Sequence, residues 1–581
     1  MASLEEKRHT LAHLLAAAVL ERYPHARPTI GPAIDTGFYY DFDFTGGDAP
    51  GESDLAALED AMREMLASWE HMHGTEVTET DARARFSTNP YKLELIDGIV
   101  AAGEPITLYT AGAFTDLCRG GHSEEPARDI VADSFTLERI AGAYWRGDEK
   151  NQMLTRIVGL AFDTKEELET YLTQREEARK RDHRKLGKEL DLFAFSDLVG
   201  SGMPLFTPRG TTVRSEIINY SRELNAELGF GEVHTPNANK AELFKISGHY
   251  DQYKEDMLSV SSQYVSDEMF LKPMNCPQHT QIYASQMRSY RDLPIRYADF
   301  AVLYRDERPG ELSGLTRLRS FSQDDGHIFC REDQIEDEIS NILAAIKRAL
   351  TTYNIGYRMR LSLRDPNNKE KYIGEDAVWN GAEATMRRLL EEKEIDFFAA
   401  EGEAAFYGPK IDIMAIDALG REWQISTIQL DFIQPARFAL EYVAEDGTKK
   451  TPVMIHRALI GSPDRFLGIL IEHYAGAFPT WLAPLQVRIL PISEKHADYA
   501  HTVEAALRAA RVRVDVDDAN ESLGKKIRSS KTEKIPYVLV VGDAEVAAGT
   551  VSVESRDHGK QEPETIASFA ERIQTEIKDR A

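Results

Sequence analysis

Apolar positions recur at helical spacing over residues 9–24, where HTLAHLLAAAVLERYP predicts an amphipathic helix. GFYYDFDF (37–44) alternates like a strand, and TGGDAPGES (45–53) is loop chemistry. From 165 to 190 the pattern is helical but densely charged with little apolar face, which predicts a helical connector between domains. Around FAVLYRDERPGELSGLTRLRSFSQDDGHIF (300–329) the natural reading is strand, long loop, strand. The prolines of PTWLAPL (479–485) mark a further boundary. Beyond them strands and helices alternate: LQVRILPI, ADYAHTVEAALRAA, VRVDV, SLGKKIRSS, PYVLVVG, TVSVES and PETIASFAERIQTEI. That order predicts a compact α/β domain of about a hundred residues.

Length and composition narrow the class. A chain of 581 residues exceeds what one core supports, so several domains are expected. No basic leader followed by an apolar core opens the chain, and no apolar run is long enough to span a bilayer. Three scattered cysteines argue against a disulfide framework and point to a reducing, cytoplasmic setting. A net charge of −27 argues, on its own, against a nucleic-acid binder. Two basic stretches, REEARKRDHRKLGK (175–188) and GKKIRSSKTEK (524–534), read in isolation as solvated helix faces.

Chemistry concentrates in the centre. LKPMNCPQHT (271–280) places Cys276 between polar residues and a proline, with no second cysteine nearby. A lone cysteine packs as a small apolar residue unless distant histidines join it. Arg305, Glu307, Arg308, Arg317 and Arg319 surround the loop of the strand–loop–strand segment, and Arg465 opens a helix pattern after GS. Arginines meeting across a sheet can hold a triphosphate through bidentate contacts.

GEVHTP (231–236), RDERPGELSGLTRLRSFSQDDGHIF and ALIGSPDRF resemble the three motifs of class II aminoacyl-tRNA synthetases. LKPMNCPQH, FYGPKIDI, WQISTIQLDF and IHRALIGS are similar to the threonyl-tRNA synthetase family in particular, as are RHTLAH, DLCRGGH and GAYWRGD near the N-terminus. The resemblance implies an α+β multidomain chain: an α+β editing domain (1–164), a helical linker (165–190), a catalytic domain on an antiparallel sheet (191–484) and an α/β anticodon-binding domain (485–581). Bacterial members usually begin with a small ubiquitin-like domain, whereas this sequence starts at the editing domain.

The resemblance also assigns roles. Cys276, His327 and His456 would hold one zinc per chain, a three-ligand site open to the amino group and hydroxyl of threonine. Arg305 would meet the α-phosphate of ATP, Glu307 the adenine amino group, Phe321 the base, and Arg317 and Arg465 the phosphate tail, with Mg²⁺ accompanying ATP. Tyr407, Gln323, Asp325, Lys410, Gln429 and Ser462 would line the substrate pocket, and His249 would lie near the terminal ribose of tRNA(Thr). Serine lacks only a methyl, worth about 1–3 kcal/mol, so a second, hydrolytic site is expected.

His9 and His13 are four apart and share a helical face, and CRGGH adds Cys118 and His122. HTLAH lacks the glutamate of HExxH, which excludes a zinc protease. On chemistry alone three histidines and a cysteine suit a closed structural zinc. The resemblance instead implies metal-free hydrolysis of Ser-tRNA, with water activated by the histidines and Asp116, Lys92 and Tyr40 in the pocket. Cys330 is expected to pack. In the C-terminal domain Asn520 and Glu545 match anticodon-contacting positions. A third, commonly arginine, is Glu554 here, where Arg556 is a substitute. A homodimer is implied. An RNA-binding regulator without catalysis, or a stand-alone editing factor, is disfavoured because the motif arginines and zinc ligands are all present.

Overall fold

The computed structural model describes residues 2–581. It forms two compact units, one ending at Glu176 and one starting at Glu177. In the first, helix Leu4–Arg22 starts earlier than the apolar pattern because Ser3 and Glu6 form a capping box: the Glu6 N–H donates to Ser3 Oγ and the Ser3 N–H to Glu6 Oε2. It buries Leu11, Leu14, Leu15 and Val19 in a core shared with Phe38, Tyr40 and Phe42, which occupy one face of strand Gly37–Asp43. That strand lies in an antiparallel five-stranded sheet with Met153–Ala161 and Phe135–Tyr144. A separate antiparallel sheet, Met72–Val77, Ile106–Ala111 and Phe114–Leu117, leads into the Cys118–His122 loop.

The segment predicted as one connector helix breaks in two, Lys165–Arg181 and His183–Glu189. Asp182 caps the second, accepting from the Arg184 N–H at 2.8 Å. The later part of the first basic stretch is not a solvated face: His183, Leu186 and Gly187 are buried. Gly187 is demanded by packing, since a Cβ there would meet the Phe193 ring at 2.2 Å. The other basic stretch is likewise only partly solvated, because Lys526 is buried and donates to the Asp517 carbonyl.

The second unit is built on an eight-stranded sheet ordered Gly231–Glu232, Ile295–Tyr304, Ser320–Cys330, Val453–Ala458, Glu422–Asp431, Lys410–Ile416, Gly356–Leu363, Phe397–Glu401. Its interior pairings are all antiparallel, and only the two edge pairings are parallel. Helices Pro208–Glu227, Ile335–Thr352 and Pro463–His473 contribute to one large core with this sheet, and a smaller core packs Tyr283 against Phe329 and Met454. Cys330 lies in the large core, as expected for a packing cysteine. After residue 485 the predicted alternation appears as a six-stranded mixed sheet with helices Ala497–Ala509, Leu523–Thr532 and Ile566–Asp579. The proline segment before it is no free linker: Trp481, Leu482 and Ala483 are buried in the large core.

Candidate active site

Strand periodicity builds the cleft. Along Ser320–Cys330, Phe321, Gln323, Asp325 and His327 take one face, while Ser322, Asp324, Ile328 and Cys330 take the buried other. Gly326 is needed because a Cβ would meet the Arg457 guanidinium at 2.3 Å, and Arg457 is ion-paired with buried Asp324 at 2.7 Å. Register does the rest. His327 stands opposite His456, and His456 opposite Gln429, so three strands deliver neighbouring polar side chains.

Cys276 begins helix Cys276–Ala284 and completes a buried group with His327 and His456, whose ligand atoms lie within 4.8 Å of one another. His327 Nε2 is 3.1 Å from His456 Nδ1. Each ring is held from behind: His279 Nδ1 lies 2.7 Å from His327 Nδ1, and Asp431 Oδ2 lies 2.9 Å from His456 Nε2. Burial pushes the Cys276 thiol well above its ordinary pKa, with Asp325 and Asp431 adding to the effect. Such a thiol becomes a thiolate only beside a cation, so this donor set fits zinc. His249 is fully buried beneath the group, with Nε2 3.6 Å from Cys276 Sγ and 2.9 Å from Met274 Sδ. Burial lowers its pKa to about 3.

Two cavities meet at this point. The smaller, about 120 Å³, is lined by Cys276, Asp325, His327, Tyr407 and His456. The larger, about 510 Å³, is lined by Glu307, Arg317, Phe321, Ser462 and Arg465. Arg305, Gln323 and Gln429 line both. The Arg305 guanidinium sits 5.2 Å from the centre of the Phe321 ring. Burial alone lowers the Arg465 pKa, with no carboxylate offsetting it, and its Nε has no hydrogen-bond partner. A half-buried, unneutralised guanidinium at a cavity wall suits an anion. Arg317, in contrast, is engaged with Glu307 at 2.7 Å and Glu311 at 2.8 Å, so the two residues assigned to phosphate and adenine are paired with each other. Lys410 lines neither cavity and pairs with Asp412 at 3.0 Å; His249 lines neither as well.

The first unit holds its own cluster. His9, His13, Cys118 and His122 also bring ligand atoms within 4.8 Å. Cys118 Sγ is 3.1 Å from His122 Nε2 and 3.5 Å from His9 Nε2. Beside them Lys92 pairs with Asp116 at 2.6 Å, and the Tyr40 hydroxyl donates to Asp116 at 2.5 Å, all three buried. His13 Nδ1 lies 3.6 Å from the same carboxylate. His13, Cys118, Asp116, Lys92 and Tyr40 line a cavity of about 580 Å³. Burial holds all three imidazoles below their ordinary pKa, His122 down to about 2, so they are neutral at physiological pH. Unlike the central rings, His13 and His122 leave Nδ1 buried without a hydrogen bond.

Residues 259–474 match the family model for the tRNA synthetase class II core domain (G, H, P, S and T), and residues 486–576 match the anticodon binding domain. The chain is 48% identical over 577 residues to the threonine–tRNA ligase of Rubrobacter xylanophilus, covering 99% of this chain and 89% of that protein. With the enzyme of Gloeobacter violaceus it shares 47% over 571 residues, covering 97% and 90%. The chain belongs to the threonine–tRNA ligase family. Among solved structures, the RNA binding domain of threonyl-tRNA synthetase from Cryptosporidium parvum aligns with a TM-score of 0.65 at 38% identity, covering 68% of this chain and 98% of that one. Prolyl-tRNA synthetase of Giardia lamblia, at 16% identity and TM-score 0.55 (70% and 81% covered), shares the fold.

A threonine–tRNA ligase attaches threonine to tRNA, and the class II core and anticodon-binding modules stand in the order expected from the sequence. Within the latter, Asn520 is exposed, whereas Glu545 caps its own helix, accepting from the Gly542 N–H and the Ser552 hydroxyl. Glu554 pairs with Lys531 at 2.8 Å. Arg556 donates to the carbonyls of Phe478 and Lys534 and pairs with Asp557. Sequence reasoning missed His279 and Asp431. The former sits one helical turn past Cys276 in the quoted CPQH, a spacing that could have flagged it.

Proposed function

We propose that this ligase works through a threonyl-adenylate formed where the two central cavities meet, and that it removes misattached serine at the His9–His122 cluster. The supporting observation is the wall of Arg305, Gln323 and Gln429 common to both cavities. A small amino acid in the 120 Å³ pocket would present its carboxylate at Arg305, where the α-phosphate of ATP in the larger cavity also lies. The carboxylate oxygen then bonds to the α-phosphorus as pyrophosphate leaves, with Arg305 and Arg465 balancing the accumulating charge. A ribose hydroxyl of the tRNA next takes the threonyl group and AMP departs. Cys276, His327 and His456 would hold zinc, which when bound supplies a Lewis acid to the amino and hydroxyl groups of threonine. Tyr407 donates to Gln429 and stacks on His456 at 4.7 Å, which fixes the pocket wall. ATP arrives with Mg²⁺.

A pocket that accepts a hydroxyl rejects valine well but serine by only about 10–200-fold. Hydrolysis in the first unit fits the remainder: neutral imidazoles accept hydrogen bonds from a water aimed at the ester carbonyl, and Lys92 with Asp116 fixes the pocket's charge. The setting is cytoplasmic and the assembly a homodimer on this reading. The test pairs ATP–pyrophosphate exchange across a panel of amino acids, with and without chelator, with deacylation of preformed Ser-tRNA. Threonine-specific, chelator-sensitive exchange and one zinc per chain are expected, and Cys118→Ala or His9→Ala should spare exchange while Ser-tRNA accumulates. Two zincs per chain, or undiminished deacylation in both variants, would overturn the metal-free editing site.

A further inference from the structure

Asp182, His183 and Glu472 form a third group with ligand atoms within 4.8 Å, outside the linings of the three cavities described. Its wiring excludes a metal. The Leu315 N–H donates to His183 Nε2 at 2.9 Å, so the ring proton is on Nδ1 and is donated to Glu472 Oε1 at 2.6 Å. The His183 N–H reaches the same oxygen at 3.0 Å, and Arg421 takes Glu472 Oε2. Both His183 ring nitrogens are used, and both Glu472 oxygens already accept hydrogen bonds. Arg421 continues to Asp417 at 2.8 Å, which also accepts from Trp423 Nε1 at 2.8 Å. The Trp423 ring lies under the Arg465 guanidinium, 5.8 Å from its centre.

Both ends of this chain of contacts reach the larger cavity. At one end Leu315, Thr316 and Arg317 line it; at the other Arg465 does. Glu472 follows Arg465 by seven residues, two turns along helix Pro463–His473, and so shares its face. The local sequence is shaped for the approach. Gly314 has φ +49° and a Cβ there would lie 2.1 Å from His183 Nε2, while a Cβ on Gly468 would lie 3.2 Å from Leu315 Cβ.

Resting on the adenylation reading above, we infer that His183 and Glu472 are positioning residues for ATP: one buried hydrogen-bonded hub sets the 313–317 turn and the Arg465 side chain relative to each other. Neither residue lines either central cavity, and the contacts traced from the hub end on residues of the ATP cavity that the threonine pocket does not share. Their loss should therefore separate the two substrates.

The experiment is threonine-dependent ATP–pyrophosphate exchange on the full chain carrying His183→Phe, His183→Gln or Glu472→Gln, with thermal unfolding monitored alongside. His183→Phe keeps an aromatic ring, slightly larger than imidazole, and removes both ring hydrogen bonds; it should raise KM for ATP about tenfold with KM for threonine nearly unchanged. His183→Gln restores an acceptor for the Leu315 N–H and should recover most of the loss. Glu472→Gln decides the matter if His183→Phe fails to fold. An unmoved KM for ATP in a folded variant, or ATP and threonine constants rising in parallel, overturns the hub. Absence of exchange in the unsubstituted chain would overturn the adenylation reading instead.

Discussion

Two clusters in this chain join a cysteine to imidazoles within the same 4.8 Å, yet their surroundings differ. In the central group both imidazoles are gripped from behind, His327 by His279 and His456 by Asp431. In the first unit His9 Nδ1 lies 3.2 Å from the Gly121 carbonyl, whereas His13 Nδ1, 3.6 Å from Asp116, and His122 Nδ1 make no hydrogen bond. Metal ligands are oriented and made more basic by exactly this second contact, so ligand count alone does not identify a metal site. By that measure the central trio, not the cluster with four donors, has the fuller set of second hydrogen bonds.

That contrast can be broken most directly at the cysteine. Cys276→Ala should remove bound zinc and abolish threonine-dependent exchange while the protein stays folded, as read by elemental analysis and ATP–pyrophosphate exchange. Full activity in a verified zinc-free Cys276→Ala protein would end the assignment. A step down in size, Asp431→Asn or His279→Ala should weaken zinc binding about 10–100-fold in chelator competition. Asp116→Asn, beside the other cluster, should leave zinc content untouched; equal losses at Asp431 and Asp116 would erase the distinction.

The smallest effect is on stability against pH. His122 titrates at about 2 in the folded chain because burial disfavours its charged form, with the neighbouring His13 and His9 adding to the effect. An unfolded histidine titrates near 6.5, so between these values the unfolded state binds more protons and stability falls as pH falls, by about 1.4 kcal/mol per pH unit for each such group. His122→Asn should flatten that slope by one such increment below about pH 6, measured as amide exchange within residues 2–176. An unchanged slope would mean that His122 is already protonated in the folded state.

Much of this was legible in the chain itself. Period-two alternation puts Phe321, Gln323, Asp325 and His327 on one strand face, and four-residue spacing puts His9 and His13 on one helix face, because backbone geometry alone sets those directions. The strand–loop–strand segment and the α/β succession after residue 485 follow from the same local rules. Local rules miss what depends on a distant partner. The connector breaks at Asp182 because His183 turns inward to Glu472, 289 residues away, and a charged run says nothing of that destination. The sequence sets Arg317 near several acids, and only the fold selects Glu307 and Glu311 as its partners.

Sequence by itself determined which residue types were available and which face of each element they occupy. Tertiary structure decided their company. Strand register set His327 against His456 across 129 positions, burial took the charge from His327 and from His9, His13 and His122, and only packing gave the central rings second partners while leaving Nδ1 of His13 and His122 without a hydrogen bond. Side-chain direction is a property of a few consecutive peptide units, whereas desolvation and hydrogen-bond satisfaction depend on every group that the fold brings alongside.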